Sequence, residues 1–212
     1  INHHGIDQKL EESLEKYSEE FFALPIEEKM KISMKNGGRA WRGFFPVGDE
    51  LTSGRPDLKE GLYFGAELSE NHPDVKASLP LHGANLFPDR PQELKSVVLE
   101  YMERMESLGQ AVMRGIALSL ELEEDFFIKN YTSDPLVLFR IFHYPKPTTE
   151  DQKNQWGVGV HTDYGLLTIL KQDLNGGLEI KTKQGWIPAP PIPGTFVCNI
   201  GDMLDRMTGG LY

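Results

Sequence analysis

The 212-residue chain has a single cysteine, Cys198. That excludes an internal disulfide framework and fits a reducing compartment, so a cytoplasmic location is expected. It has no uninterrupted apolar run of the 18 or so residues that a membrane-spanning helix needs. Positive charge is scarce, with 22 Lys and Arg against 32 Asp and Glu and a net charge of −10. A nucleic-acid groove requires clustered Lys and Arg, and this balance argues against one. Histidine is sparse too: of six, the last is His161. Any metal site built only from this sequence must therefore draw its imidazoles from residues 1–161. The first residue is Ile1 rather than Met, so the natural N-terminus and any address on it are expected upstream.

What is present is ordinary for a globular protein: 39% hydrophobic, 25% charged and 10% aromatic residues. Ile6, Leu10, Leu14, Tyr17, Phe21 and Leu24 recur at steps of three and four, one face of an amphipathic helix. Pro25 with Glu27 and Glu28 opens a second, short helix. Residues 35–90 are rich in Gly and Pro and read as loops and short strands. From Pro91 the apolar residues Leu94, Val98, Tyr101, Met105, Leu108, Val112, Ile116 and Leu120 mark the longest helix, and a shorter one is expected over Glu123–Asn130. After Pro135 the runs LVLFRIFHY, LLTIL, GGLEIKT and GTFVCNIG are β-branched or aromatic and are separated by turn formers. The reading is an N-terminal helical and loop region over 1–135, packed on a β-rich core over 136–212, as one structural unit.

Two His-x-Asp pairs stand out, His72-Pro73-Asp74 and His161-Thr162-Asp163. Side chains alternate along an extended chain, so such a pair places an imidazole and a carboxylate on one side. Spacing alone is weak. The first pair lies in ENHPDVKASLP, a polar stretch that reads as a surface turn. The second enters the apolar strand GLLTIL through the glycine-rich GVGV, and on local context a metal site and a polar strand rim both stand. Two imidazoles and one carboxylate on one face of an octahedron are diagnostic of non-haem Fe(II) oxygenases, and a closed zinc site would call for cysteines that the chain lacks. Among other histidines, His143 shares a strand face with Val137, Phe139 and Ile141 and reads as a satisfied core residue; His82 reads as a loop residue. Thr208-Gly209-Gly210 reads as a hairpin turn opening a return strand, so a third ligand, a histidine, is expected beyond Tyr212.

These pieces resemble the isopenicillin N synthase-like branch of the 2-oxoglutarate/Fe(II)-dependent oxygenases. INHHGI, ALPIEEKMKI, WRGFFPVGDE, DLKEGLYFG, GANLFP, FRIFHYP, GVGVHTDYGLLTIL, GGLEI and VCNIGDML follow in family order, nearly end to end. The resemblance implies an α+β fold with a double-stranded β-helix (jelly-roll) core and an N-terminal helical region containing one long helix. It selects His161 and Asp163 as iron ligands, and Tyr144 as a contact to the cosubstrate. It implies a dioxygenase that hydroxylates or desaturates a small organic molecule using Fe(II), 2-oxoglutarate and dioxygen, with ascorbate as reductant, and that releases succinate and CO2. Arg42, Phe44, Phe45 and Phe142 are candidate substrate contacts. Many plant relatives carry asparagine and tyrosine where this chain has Phe142 and His143. The alternatives are an Fe(II) oxidase of the same fold that does without 2-oxoglutarate, and a non-catalytic jelly roll that binds a small molecule.

Overall fold

The computed structural model describes residues 1–146 and 156–212, which divide into two compact units, 9–161 and 1–8 with 162–212. In the larger unit, helix α1 (Gln8–Phe22) buries Leu10, Leu14 and Phe21 of the expected stripe, with Tyr17 half-buried, and Phe22 beside them. Its buried Ser18 hydroxyl donates to the Leu14 carbonyl, which satisfies it inside the helix. Pro25 caps α2 (Ile26–Lys29), whose last residue turns inward. Helix α3 (Pro73–Lys76) starts with proline at its first turn, and the ring of His72 accepts the Asp74 N–H. The first His-x-Asp pair is thus a capped turn. Helix α4 (Glu93–Ser119) is the long one and buries Leu94, Val98, Tyr101, Met102, Met113, Ile116 and Ala117.

Strands β1 (Gly43–Phe45) and β4 (Glu60–Gly65) form an antiparallel sheet with β5 (Leu138–His143), in the order β1-β4-β5; β2 (Leu51–Thr52) and β3 (Arg55–Pro56) make a small hairpin. Every residue of the central strand β4 is buried. The register Gly61↔Phe142, Leu62↔Ile141 and Tyr63↔Arg140 sorts the side chains into two faces. One face carries Phe44, Leu62, Phe64, Phe139 and Ile141. Helices α1 and α4 pack there, with the Phe21 and Phe44 rings 5.8 Å apart and those of Tyr101 and Phe139 5.4 Å apart. The other face carries Phe45, Gly61, Tyr63, Arg140 and Phe142. The expected division at 135/136 falls between paired elements, since β5 completes a sheet begun by β1 and β4.

The expected helix over Glu123–Asn130 is present in part: Phe126 and Phe127 are α-helical and run into a π turn at Ile128–Thr132. The Gln110 side chain holds its end, donating to the Thr132 carbonyl at 2.6 Å and accepting from the Thr132 hydroxyl at 2.9 Å.

In the smaller unit β6 (Leu167–Leu170) pairs antiparallel with β9 (Val197–Ile200), and β7 (Glu179–Thr182) with β8 (Gly185–Pro188). The Ile1 backbone exchanges two hydrogen bonds with Phe196, and the His4 ring packs at a tilt against the Phe196 ring. Residues Asp202–Met207 form helix α5. The expected hairpin at 208–210 is its C-terminal stop: Gly210 N–H donates to the Asp205 carbonyl and Gly209 N–H to that of Arg206, a Schellman motif with both glycines at positive φ. A glycine pair serves a hairpin or a helix end equally well, and here the six helical residues before it decide. No helix among the described residues is long and apolar enough to cross a membrane.

Candidate metal and cosubstrate site

His161 is an exposed residue at the end of the segment 157–161 in the larger unit. Its Nδ1 lies 2.8 Å from the Gly159 carbonyl oxygen. A carbonyl can only accept, so Nδ1 carries the proton, and in the neutral ring the lone pair belongs to Nε2. A ligating histidine is held in this way when its other ring N–H donates to a carbonyl or carboxylate.

Tyr144 follows β5 and continues the alternation of Phe142, the two rings standing 6.3 Å apart. Gly157 makes room for the Tyr144 ring, since a Cβ there would meet Cδ1 at 2.7 Å. Although half the residue is exposed, desolvation of the phenol pushes its pKa up to about 12, helped by the negative charges of Asp57 and Glu50. Tyr144 therefore remains a hydrogen-bond donor at any physiological pH.

Phe45 and Phe142 meet edge to face over Gly61, with ring centroids 6.2 Å apart. A Cβ on Gly61 would lie 2.6 Å from Phe45 Cε1 and 2.8 Å from Phe142 Cδ1. Phe44 is fully buried on the opposite sheet face, against Phe21. Arg42 is buried as well. Its terminal nitrogens donate to the Ala40 and Leu81 carbonyls at 2.8 Å, and its guanidinium packs where Gly65 lacks a side chain. Its Nε has no partner among the described residues. Desolvation lowers the Arg42 pKa, and the charge of Glu67 opposes that shift.

Asp163 belongs to the smaller unit, where two elements orient it. Asn199, on β9, donates to its Oδ2 at 2.8 Å, and the first turn of α5 binds its backbone, with Asp202 N–H donating to the Asp163 carbonyl at 2.7 Å. Thr162 donates its hydroxyl to Asp202 Oδ2 at 3.0 Å. Gly201 admits this approach, since a Cβ there would sit 2.1 Å from the Gly165 carbonyl oxygen. Asn199 and Asp202 were not singled out from the sequence. The signal was the polar residue interrupting the apolar run VCNI, followed by Gly-Asp at a helix start. The expected buried thiol Cys198 is half-buried, and desolvation raises its pKa, against the opposing charge of the N-terminus.

His143 is satisfied, its Nδ1 donating to Glu60 Oε1 at 2.8 Å. Its side chain is about half exposed rather than core. Among the described residues no three His, Cys, Asp or Glu side chains are grouped to hold a metal ion. The donor types offered by His161 and Asp163, one imidazole Nε2 and one carboxylate, suit Fe(II) as two of three protein ligands.

Comparison with known proteins bears on this donor set. Residues 1–90 match the model of the N-terminal region of a non-haem dioxygenase in morphine synthesis, and residues 132–212 match that of the 2OG-Fe(II) oxygenase superfamily. A probable iron/ascorbate oxidoreductase of Dictyostelium discoideum is 52% identical across the whole chain, and a 1-aminocyclopropane-1-carboxylate oxidase of Dictyostelium mucoroides is 42% identical. The chain spans 64% and 66% of the lengths of these two relatives. Among solved structures, a full-length Neurospora crassa protein in complex with alpha-KG superposes with a TM-score of 0.81 at 30% identity, covering 99% of this chain and 64% of that one.

Proposed function

Since the chain belongs to the 2OG-Fe(II) oxygenase superfamily, in its isopenicillin N synthase-like branch, we propose that the intact protein is a non-haem Fe(II)- and 2-oxoglutarate-dependent dioxygenase that hydroxylates or desaturates a small organic molecule. The fold we assign to the intact core is the double-stranded β-helix, in keeping with its oxygenase structural neighbours. The observation that carries the functional reading is the hydrogen bond from His161 Nδ1 to the Gly159 carbonyl, which leaves Nε2 as the ligating nitrogen.

Each residue then has a definite task. His161 Nε2 and the Asp163 carboxylate are two of the metal ligands, and Asn199 keeps that carboxylate from rotating. The third ligand is a histidine C-terminal to Tyr212, in keeping with the greater length of the relatives. Tyr144, protonated at physiological pH, donates a hydrogen bond to a carboxylate oxygen of the cosubstrate. Phe45 and Phe142 form an apolar wall that keeps water from the reacting C–H bond. Phe44 acts from beneath, by supporting the sheet that carries this wall, and Arg42 ties down the loop that leads into it through the Ala40 and Leu81 carbonyls. Fe(II) with 2-oxoglutarate and dioxygen supplies the oxidising power, with succinate and CO2 released and ascorbate available to restore the ferrous state.

The test is anaerobic. The full-length protein loaded with Fe(II) should develop a weak visible charge-transfer band on addition of 2-oxoglutarate, and His161→Ala should abolish it. Bound iron without the band would favour an oxidase of the same fold that does without 2-oxoglutarate. No bound iron would sink the proposal.

A further inference from the structure

The segment leading to His161 is clamped from the side by the β2–β3 hairpin. Asp57, just after β3, is 2% exposed. Its Oδ1 accepts the Gly159 N–H at 3.4 Å, and its Oδ2 accepts the Thr52 hydroxyl at 2.8 Å. Gly159 rests directly on Thr52: a Cβ at this glycine would lie 3.0 Å from Thr52 Cγ2 and 3.2 Å from its Cβ. One residue on, the Ser53 hydroxyl donates to the Val160 carbonyl at 3.4 Å.

The clamp is anchored by a buried cation. Lys59 Nζ is 3.1 Å from Asp57 Oδ2 and 3.1 Å from Glu50 Oε2, and it lies 4.5 Å from the centroid of the Phe142 ring. Glu50 in turn accepts from the Tyr63 hydroxyl. A carboxylate held at both oxygens and neutralised by a buried ammonium is a stiff support, because any movement would strand a charge away from water.

We propose that Asp57, held by Lys59, is a positioning residue for His161. It fixes Gly159 at its N–H and against Thr52, which aims the Gly159 carbonyl at His161 Nδ1 and so sets which ring nitrogen is presented to the metal. This rests on His161 being a ligand, yet the positioning is a property of the metal-free protein and is measured there.

The experiment uses full-length, metal-free protein labelled with 15N-histidine, at a pH where the rings are neutral. Two-bond 1H–15N correlation spectra report the tautomer of each ring, and the His161 signals are those lost in His161→Ala. His161 is expected to be protonated at Nδ1. Asp57→Asn, which keeps size but removes the charge, should shift the population toward the Nε2-protonated form. So should Gly159→Ala, which alters no charge and pushes the backbone off Thr52. Both variants should weaken anaerobic Fe(II) binding by about 10- to 100-fold, the usual effect of losing an outer-shell partner. Adding Thr52→Ser to Gly159→Ala removes the obstructing methyl while keeping the hydroxyl that Asp57 accepts, and should recover most of both effects. An unchanged tautomer in folded Gly159→Ala, with Fe(II) affinity within about twofold, overturns the proposal even if Asp57→Asn fails to fold. Intact Fe(II) binding by His161→Ala would defeat the iron reading, and the tautomer would still decide the positioning.

Discussion

Glu60→Gln is a severe substitution despite its near-identical shape. Glu60 sits at the start of β4, and its two oxygens face two donors, Lys29 Nζ at 2.8 Å and His143 Nδ1 at 2.8 Å. Lys29 and Glu60 side chains are each 8% exposed, and the ammonium also donates to the Phe22 carbonyl at 3.1 Å. Glutamine offers one acceptor oxygen where two are needed, so its amide NH2 must meet either the ammonium or the imidazole N–H. It also takes away the carboxylate that balances the ammonium. Breaking a buried pair by removing one partner costs about 3–5 kcal/mol. In a chain of this size each kcal/mol lowers Tm by roughly 2–4 °C, so the expected drop is about 6–20 °C. Urea unfolding followed by circular dichroism measures the loss directly, with an unchanged m-value confirming that the end states are the same. Adding Lys29→Met should recover at least half of it, because the stranded charge is gone and the glutamine oxygen can serve His143 alone. A loss below about 1 kcal/mol, or a double variant less stable than the single one, would refute the claim that this pair is desolvated.

Gly61→Ala should cost about 1–3 kcal/mol by overpacking, since the new methyl falls within 3 Å of both Phe45 and Phe142; thermal melts measure the cost, and altered aromatic ring shifts in NMR spectra report the displaced rings. Gly209→Ala should cost about 1 kcal/mol, because its φ of +65° is the left-handed conformation that closes α5, and hydrogen exchange at Gly210 N–H should quicken. The raised Tyr144 pKa means that the folded state favours the neutral phenol. The stability this confers is complete below pH 10 and is lost as the pH rises from about 10 through 12. Tyr144→Phe should remove that part of the alkaline loss, and ultraviolet titration of tyrosinate should show one late-titrating phenol fewer.

The two principal helices were legible because a 3.6-residue period repeats over several turns in α1 and α4 and averages out local exceptions such as Ser18. The faces of β5 were legible for the same reason with period two: alternation alone put Phe142 beside Tyr144 and His143 beside Phe139. Pairing was not legible. β5 meets β4 across more than seventy residues, and nothing local to FRIFHY names EGLYFG as its partner. Helix α5 has too few residues for a period to show, so its glycine stop read as a hairpin. At the site, the ordered resemblance rather than residue type singled out His161 and Asp163 as candidates; Gly159 lies in the same glycine-rich approach as His161, while Asn199 and Asp57 lie in other segments and are found only through contacts.

Lys59 and Glu60 bring strand register and ligand support together. They are consecutive, so their side chains emerge on opposite faces of the sheet. Lys59 joins Asp57 and Glu50 on the face of Phe142, and Glu60 joins Lys29 and His143 on the face packed by helices. Each buried charge thus meets the opposite sign on its own side. A one-residue slip of β4 would turn Lys59 toward Lys29 and Glu60 toward Asp57 and Glu50, burying like charges on both faces at once. The apolar residues alone would resist such a slip less, because Phe45, Tyr63 and Phe142 on one face and Phe44, Leu62 and Phe64 on the other are comparably aromatic and bulky. The register of the central strand is therefore guarded by charge where hydrophobic patterning discriminates weakly. The same Lys59 that guards it also anchors Asp57 beside the approach to His161, so strand register and ligand geometry share one buried cation.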